Sequence, residues 1–122
     1  MEKIKSFYDL IAWQEGHKLV LDIYKTTSTF PQQEVYALTS QMRRAAVSIT
    51  SNIAEGFSRR GKKEKMQFYS MAQGSLTELQ NQLLVAKDVG YVKNDAYILI
   101  FGQTQLVHKL ITGLIKSVNN FN

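Results

Sequence analysis

The sequence contains no cysteine and only one proline, Pro31, among its 122 residues. The lack of cysteine excludes disulfide bonds, thiolate metal sites and a cysteine nucleophile, and it favours a cytoplasmic protein. A single proline leaves the chain free to form long helices, because proline breaks helix interiors. The N-terminal segment lacks the apolar stretch of a signal peptide, and no run approaches the ~20 apolar residues of a membrane span. We therefore expect no membrane association.

Histidine is also scarce, and the two histidines, His17 and His108, stand in no metal-binding pattern. A di-iron bundle needs Glu-x-x-His pairs, and neither histidine has a glutamate three residues before it. His17 falls on the apolar row of a predicted helix, so we interpret it as a core residue. Ser48 and Ser75 stand in no Gly-x-Ser-x-Gly motif, and the glycines match no phosphate-binding loop. We expect a protein that is not an enzyme, with no catalytic residues, metal site or cofactor.

The dominant pattern is hydrophobic periodicity of the helical kind. Apolar residues recur at three- and four-residue spacing in four stretches, which cover approximately residues 7–27, 38–59, 62–89 and 95–119. Ser6 and Asp9 have the spacing of a capping box, Gly56 or Gly61 is expected to end the second helix in a left-handed conformation, and Gly90 to end the third. Long helices with short connections favour antiparallel neighbours. All 122 residues are thus predicted to form one all-α domain, an up-down-up-down antiparallel four-helix bundle.

The first and fourth predicted helices carry more apolar residues than a monomeric bundle has to bury. The main row of the first helix consists of Leu10, Trp13, His17, Val20 and Tyr24, with Ile11, Leu19, Leu21 and Ile23 beyond it. The fourth helix is apolar over much of its circumference between residues 98 and 115. A surface helix needs an apolar stripe of only about 100°, and exposed apolar patches mark interfaces. We expect a homo-oligomer; the alternative is a fourth helix that lies centrally in the bundle.

Positive charge is concentrated in one stretch of the chain. Residues 41–70 contain seven basic and two acidic side chains, in a protein of formal net charge +5. Basic side chains at a helix junction neutralise phosphates without reading base sequence, and Tyr69 or Phe57 nearby is a candidate for base stacking. The alternative is a solvated helix junction with no ligand. The candidate nucleic-acid-binding residues are Arg43, Arg59, Arg60, Lys62, Lys63 and Lys65.

A row of polar residues runs along the second predicted helix beside its apolar stripe. Together with one glutamate of the third helix we call it the polar seam, which comprises Gln41, Arg44, Ser48, Asn52, Glu55 and Glu78. Polar side chains between helices must be hydrogen-bonded, and such contacts fix helix register. We interpret the seam as structural, with Arg44 and Glu55 bonded to Glu78 or Gln82. The alternative is a surface that faces a ligand or another subunit.

The sequence resembles one bacterial family over about residues 7–118. The resemblance is carried by five motifs: Leu10-x-x-Trp13-Gln14, Phe30-Pro31-x-x-Glu34, Gln41-Met42-Arg43-Arg44-Ala45-Ala46-x-Ser48-Ile49, Asn52-Ile53-Ala54-Glu55-Gly56 and Gly74-Ser75-Leu76-x-Glu78-Leu79. The family is the four-helix bundle proteins named for a member encoded in intervening sequences of the large-subunit ribosomal RNA gene. A related branch is the accessory variability determinant of diversity-generating retroelements.

The resemblance implies a homopentameric bundle without catalytic residues. For the retroelement branch it also implies binding of nucleic acid and of a reverse transcriptase through a basic surface. Together with the local charge, it leads us to expect a non-enzymatic oligomeric bundle that binds RNA or DNA electrostatically, as an accessory to a nucleoprotein assembly. The alternative is a protein–protein scaffold with no nucleic-acid role.

Overall fold

The computed structural model describes residues 3–120, which form four long helices and two short 3-10 turns. The helices are α1 (Ile11–Thr27), α2 (Leu38–Ser58), α3 (Lys62–Asp88) and α4 (Asn94–Asn120). Helix α1 packs against α2 and α4, and α3 packs against the same two helices. Within the described residues no strand occurs. The predicted all-α four-helix bundle is confirmed.

Contacts between neighbouring helices show that successive helices are antiparallel. Between α2 and α3, Ser48 meets Ser75 in mid-helix, whereas Gly56 near the end of α2 lies against Tyr69 near the start of α3. Between α3 and α4, Gln73 bonds to Thr112 and Gln80 bonds to Thr104. Residue numbers increase along α3 where they decrease along α4, so the two helices are antiparallel. The N-terminal segment, the α2–α3 connection and the end of α4 therefore lie at one end of the bundle.

Helix α1 begins later than the periodicity predicts. The predicted start at residue 7 is wrong: Phe7–Asp9 forms a 3-10 turn, and Leu10 is extended, with φ −71° and ψ 130°. The capping box is present, with the Ser6 amide donating to Asp9 Oδ2 at 3.0 Å, but it caps this turn rather than α1. The Gln14 side chain bonds to the Tyr8 carbonyl at 3.0 Å and bridges the interruption.

The buried face of α1 differs from the predicted row. The buried residues are Ala12, Gly16, Leu19, Val20, Ile23 and Thr27. A Cβ added to Gly16 would lie 3.1 Å from Thr50 Cγ2, so the small residue permits close approach of α2. Hydrophobic periodicity gives little weight to glycine and alanine. The row predicted from it therefore lies to one side of the face of α1 that is buried in the structure. His17, interpreted as a core residue, is exposed and stacks on the Trp13 ring at 4.7 Å.

The two connections at the ends of α2 are tight but do not use the predicted glycine caps. The second helix begins at Leu38, preceded by the 3-10 turn Gln32–Glu34 that follows Pro31. It ends at Ser58, with Arg59 in an extended conformation, so neither Gly56 nor Gly61 adopts a left-handed cap. Among the described residues only Gly90 has a positive φ, +89°, directly after α3 as predicted.

Helix α4 is the most apolar helix of the bundle. It is long and apolar enough to cross a membrane by length and composition alone, with a mean hydropathy of 1.3 over its most apolar 18-residue window. Core helices of bundles pass the same test, but here only 22% of that window is buried. Ile100, Val107 and Ile111 face the core, whereas Ile98 and Leu99 are exposed.

Candidate nucleic-acid interface

The structure divides the six candidate basic residues between two places. Arg43 lies in the second turn of α2, and Arg59 directly follows the end of the same helix. A separation of 16 residues along a helix corresponds to about 24 Å at ~1.5 Å per residue. Arg43 therefore does not share a surface with the other five candidates, which all lie in or next to the α2–α3 connection.

The fold adds further basic residues to this connection. A cleft of about 510 Å³ brings together Ile4, Leu10, Arg60, Lys62, Ser117 and Val118. The Lys62 ammonium also donates to the Asn119 carbonyl at 3.4 Å. The N-terminal lysines and Lys116 of α4 thus join the same end of the bundle. We call this set the basic end; its members are Lys3, Lys5, Arg59, Arg60, Lys62, Lys63, Lys65 and Lys116.

Among the described residues, the acidic side chains at the same end are Asp9, Glu55 and Glu64, so positive charge predominates in this part of the structure. The lysines from the two chain ends were missed by sequence reasoning, because they lie more than 50 residues away from the connection along the chain. The antiparallel topology was the signal that would have found them. In an up-down bundle the beginning of α1 and the end of α4 must lie beside the α2–α3 connection.

Three of the basic side chains are already engaged within the chain. Arg59 forms an ion pair with Glu55 at 3.0 Å, and its guanidinium lies 4.9 Å from the Phe68 ring centroid. Lys65 donates to the Gly56 and Phe57 carbonyls at 3.2 and 2.9 Å, and Lys62 bonds to Asn119 as described. Partial burial lowers the pKa of Lys65. Lys65 therefore caps the C-terminus of α2, and this role competes with phosphate contact.

Arg60 and Lys63 differ from these three. Both are exposed, and neither forms a hydrogen bond or ion pair with another residue in the described range 3–120. Their full donor capacity is therefore available to an external anion. An arginine fork binds phosphate oxygens in a bidentate manner, and a lysine binds them as a point charge. These two residues are the strongest phosphate-binding candidates at the basic end.

The aromatic residues suggested for base stacking are not available for it. Tyr69 is only 2% exposed and contacts the backbone of Gly56, and burial raises the pKa of its phenol. Phe57 is half-buried beneath the Lys65 ammonium, 5.5 Å from the ring centroid. Phe68 is half-buried, with the Arg59 guanidinium over its ring. Among the described residues, the exposed aromatic side chain at this end is Tyr8, 56% exposed, with its ring edge-on to Phe7 at 5.4 Å.

The polar seam is partly built as expected. The Ser48 and Ser75 hydroxyls are hydrogen-bonded across α2 and α3 at 2.8 Å, and the Asn52 amide donates to the Ser48 carbonyl and hydroxyl at 2.8 and 3.1 Å. The expected pairing of Glu55 with α3 is wrong. The Glu55 carboxylate instead forms an ion pair with Arg59, four residues later in the chain. Glu78 accepts from Gln82 at 3.3 Å, and Gln41 and Arg44 are exposed.

A second set of interhelical hydrogen bonds lies between α3 and α4 and was not predicted. Gln73 Nε2 donates to Thr112 Oγ1 and Gln80 Nε2 to Thr104 Oγ1, each at 3.0 Å. Gln103 of α4 also donates to the Glu15 carbonyl of α1 at 2.9 Å. Isolated glutamines and threonines within an apolar helix give no sequence signal of this pairing, since the partners are 24 to 88 residues apart.

No cluster of three or more potential metal ligands occurs among the residues that the structure describes. His17 and His108 are both exposed on different helices, α1 and α4. The arrangement at the basic end offers cations, backbone carbonyls and a partly apolar cleft. What it can do chemically is bind and orient an anionic partner.

Comparison with known proteins now identifies the chain at the family level. The family model described as 23S rRNA-intervening sequence protein matches residues 8–113. The chain belongs to this family. The match covers α1, α2 and α3 completely and most of α4, so it includes both the polar seam and the basic connection. The resemblance to the intervening-sequence family found in the sequence motifs is confirmed.

A solved structure gives independent support for the fold of this intervening-sequence family member. It is the crystal structure of a protein with unknown function from the S23 ribosomal protein family of Bacteroides thetaiotaomicron VPI-5482. The two chains superpose with a TM-score of 0.80 at 18% identity, covering 87% of this chain and 96% of the other. A comparison with curated proteins returns no match to this chain. At this identity the likeness concerns the fold alone.

Proposed function

We propose that the protein is a non-enzymatic, homo-oligomeric helical bundle that binds RNA or DNA through its basic end, as an accessory to a nucleoprotein assembly. The observation that carries this proposal is the convergence, within residues 3–120, of eight basic side chains with three acidic ones at one end of the bundle. They come from three separate parts of the chain, and the fold collects them.

The binding mode follows from which of these side chains are free. Arg60 and Lys63 supply direct phosphate contacts, while Lys3, Lys5 and Lys116 add long-range attraction around them. Contacts of this kind recognise the phosphate backbone and not the base sequence. Tyr8 is the residue placed to stack on an unpaired base beside them. We infer affinity for structured RNA and DNA with little sequence preference.

The oligomeric part of the proposal is supported by the uncovered face of α4. Leu99 is 77% exposed and Ile98 is 59% exposed, on a helix whose apolar window is largely unburied. Burial of this face against other copies removes apolar surface from water, worth roughly 25 cal/mol per Å². The resemblance gives the expected number of subunits as five. An oligomer carries one basic end for each subunit. Several weak phosphate contacts can then form with one nucleic acid at the same time, which raises the overall affinity.

The family resemblance also supplies the proposed setting. The proposed location of the protein is the cytoplasm. If the protein belongs to the retroelement branch, the candidate partner protein is a reverse transcriptase. No membrane partner is included, because the exposed face of α4 is assigned to subunit contacts.

The test is a titration of a labelled structured RNA and a duplex DNA by fluorescence anisotropy. The informative variant is Arg60→Glu/Lys63→Glu, which reverses two charges that have no partner among residues 3–120. Its matched control is Lys25→Glu/Lys93→Glu, which reverses two exposed lysines at the opposite end. We expect micromolar binding by the wild type and by the control, and a loss of tenfold or more in the Arg60/Lys63 variant.

Light scattering on the same samples measures the molar mass in solution and so tests whether the protein is an oligomer. A multiple of the 13.9 kDa chain mass supports the subunit role of α4, and a monomer mass removes it. A correctly assembled oligomer that binds neither nucleic acid at low salt would favour the protein–protein scaffold instead. That outcome would reduce the basic end to a solubilising surface.

A further inference from the structure

A second surface lies about 24 Å from the basic end, where α1 ends and α2 begins. It is an open groove of about 690 Å³ between the last turn of α1, the connection to α2 and the outer face of α2. We call it the Tyr36 groove; the lining residues that matter here are Tyr24, Val35, Tyr36, Arg43, Arg44 and Val47. It contains Arg43, the one nucleic-acid candidate that the fold separates from the others.

The apolar side chains of the groove are unusually accessible. Tyr36 is 96% exposed, so nearly all of its surface is in contact with water. Tyr24 and Val35 are each 43% exposed, and Val47 is 39% exposed on the adjoining turn of α2. Tyrosine and arginine are the residue types enriched at the energetic centres of protein interfaces, where an aromatic ring is buried by the partner. The composition of the groove is therefore that of a protein-docking site.

The charge of the groove has one sign. Within residues 3–120 no acidic side chain lines it, whereas two guanidinium groups do. Arg43 is held in place, because its Nε donates to Thr27 Oγ1 at 2.9 Å and its guanidinium carbon lies 4.6 Å from the Tyr24 ring centroid. Arg44 is exposed and forms no hydrogen bond or ion pair within the residues that the structure describes. Both arginines line the same groove, and a guanidinium group is well suited to bind a carboxylate.

The beginning of α2 adds hydroxyl groups to the groove but no further positive charge. Thr39 and Ser40, in the first turn of the helix, also line the groove. The Leu38 amide donates to Glu34 Oε1 at 3.4 Å, so a carboxylate of the chain itself lies at this helix terminus and offsets its partial positive charge. The preference for a negatively charged occupant therefore rests on Arg43 and Arg44.

We propose that the Tyr36 groove docks an acidic segment of a partner protein. Carboxylates of the segment pair with Arg43 and Arg44, and a large apolar side chain of the segment covers Tyr36 and Val47. Two cations beside exposed apolar residues fit a peptide of mixed character better than a nucleic-acid backbone, which favours many cations. This inference goes beyond the nucleic-acid proposal and does not rest on it. If the basic end binds nucleic acid and the Tyr36 groove binds a protein segment, the protein is an adaptor whose two binding surfaces lie at opposite ends of α2.

The test starts with a display library of random twelve-residue peptides selected on the full-length wild-type protein. Peptides that also bind the Tyr36→Ala/Arg44→Glu variant are removed. We expect the remaining peptides to be rich in aspartate and glutamate around an aromatic or large aliphatic residue. A labelled synthetic representative should bind the wild type, with affinity reduced tenfold or more by Arg44→Glu and by Tyr36→Ala. Lys93→Glu, an equal charge change outside the groove, should alter affinity less than twofold.

Circular dichroism and light scattering on each variant check that fold and oligomer mass are kept. No enrichment of acidic peptides overturns the proposal, as does a peptide whose binding is abolished by Arg60→Glu/Lys63→Glu. A changed oligomer mass in Arg44→Glu would instead make the groove a contact between copies of this chain. Loss of RNA binding in Arg44→Glu would make it part of the nucleic-acid surface. The peptide measurements stand whether or not the protein binds RNA, so the two proposals fail separately.

Discussion

The Lys65 ammonium donates a hydrogen bond to the Phe57 carbonyl at 2.9 Å and so ties the start of α3 to the end of α2. It also bonds to the Gly56 carbonyl at 3.2 Å. The last carbonyls of a helix have no partner within the helix, and a cation placed there also interacts favourably with the helix dipole. The lysine that sequence reasoning placed in the binding set is therefore a structural cap.

Lys65 and Lys63 should consequently respond in opposite ways to truncation. We expect Lys65→Ala to lower the free energy of unfolding by about 1 kcal/mol, because charge-assisted hydrogen bonds to two carbonyls are lost. Lys63→Ala should leave unfolding unchanged and weaken RNA binding. Urea denaturation and RNA titration of both variants check this. Equal stability of the two variants would show that Lys65 contributes nothing as a cap.

Gly56 and Gly74 form a second matched pair, since both are helical glycines in the central motifs. A Cβ on Gly56 would lie 2.6 Å from Tyr69 Cε1 in the core, whereas a Cβ on Gly74 meets no atom within 4 Å. We expect Gly56→Ala to destabilise the protein by about 1–3 kcal/mol through overpacking. Gly74→Ala should stabilise it by about 0.5–1 kcal/mol, because alanine is the better helix former. The midpoint of thermal unfolding, measured for both variants, tests this. A midpoint of Gly56→Ala equal to that of the wild type would refute the tight contact between Gly56 and Tyr69.

Tyr91 should make the protein sensitive to alkaline pH. Its hydroxyl donates to Glu34 Oε2 at 2.7 Å, and this hydrogen bond, together with partial desolvation and the glutamate charge, raises the pKa of the phenol above its ordinary value. A phenol with a raised pKa in the folded state stabilises the fold below the unfolded pKa of about 10 and loses that contribution above it. Stability should thus fall as the pH rises above about 10.

The variant that isolates this effect is Tyr91→Phe, which cannot ionise. We expect a shallower fall of the unfolding midpoint in this pH range than in the wild type, with the remaining fall attributable to buried Tyr69, whose pKa is also raised. Urea denaturation at a series of pH values measures it. Parallel curves for the two proteins would remove Tyr91 from the account.

The sequence was sufficient for the fold because helical periodicity and connection length both point to a bundle. The fully buried residues of α2 and α3 recur at helical spacing, as the periodicity requires: Met42, Ile49 and Ile53 in α2, and Leu76, Leu79 and Leu83 in α3. The face of α1 was not predictable in the same way. There a glycine, Gly16, decides where α2 approaches, and glycine carries no hydrophobic signal.

The candidate site was only half predictable for a related reason. Charge density along the chain marks the α2–α3 connection as its most basic part, but it does not reveal which cations are already bonded. The capping role of Lys65 depends on where the last carbonyls of α2 lie, and the ion pair of Arg59 depends on Glu55 one turn earlier. Arg43 was grouped with the others by proximity in the sequence, although a rigid helix holds it apart from them.

The measurement that tests the central claim most directly is the salt dependence of RNA binding. Each neutralised phosphate adds about 0.7–0.9 to the slope of log affinity against log salt concentration. We predict a steep slope for the wild type and for Lys25→Glu/Lys93→Glu, and a slope smaller by about 1 or more for Arg60→Glu/Lys63→Glu. Identical slopes in all three proteins would contradict phosphate binding at the basic end.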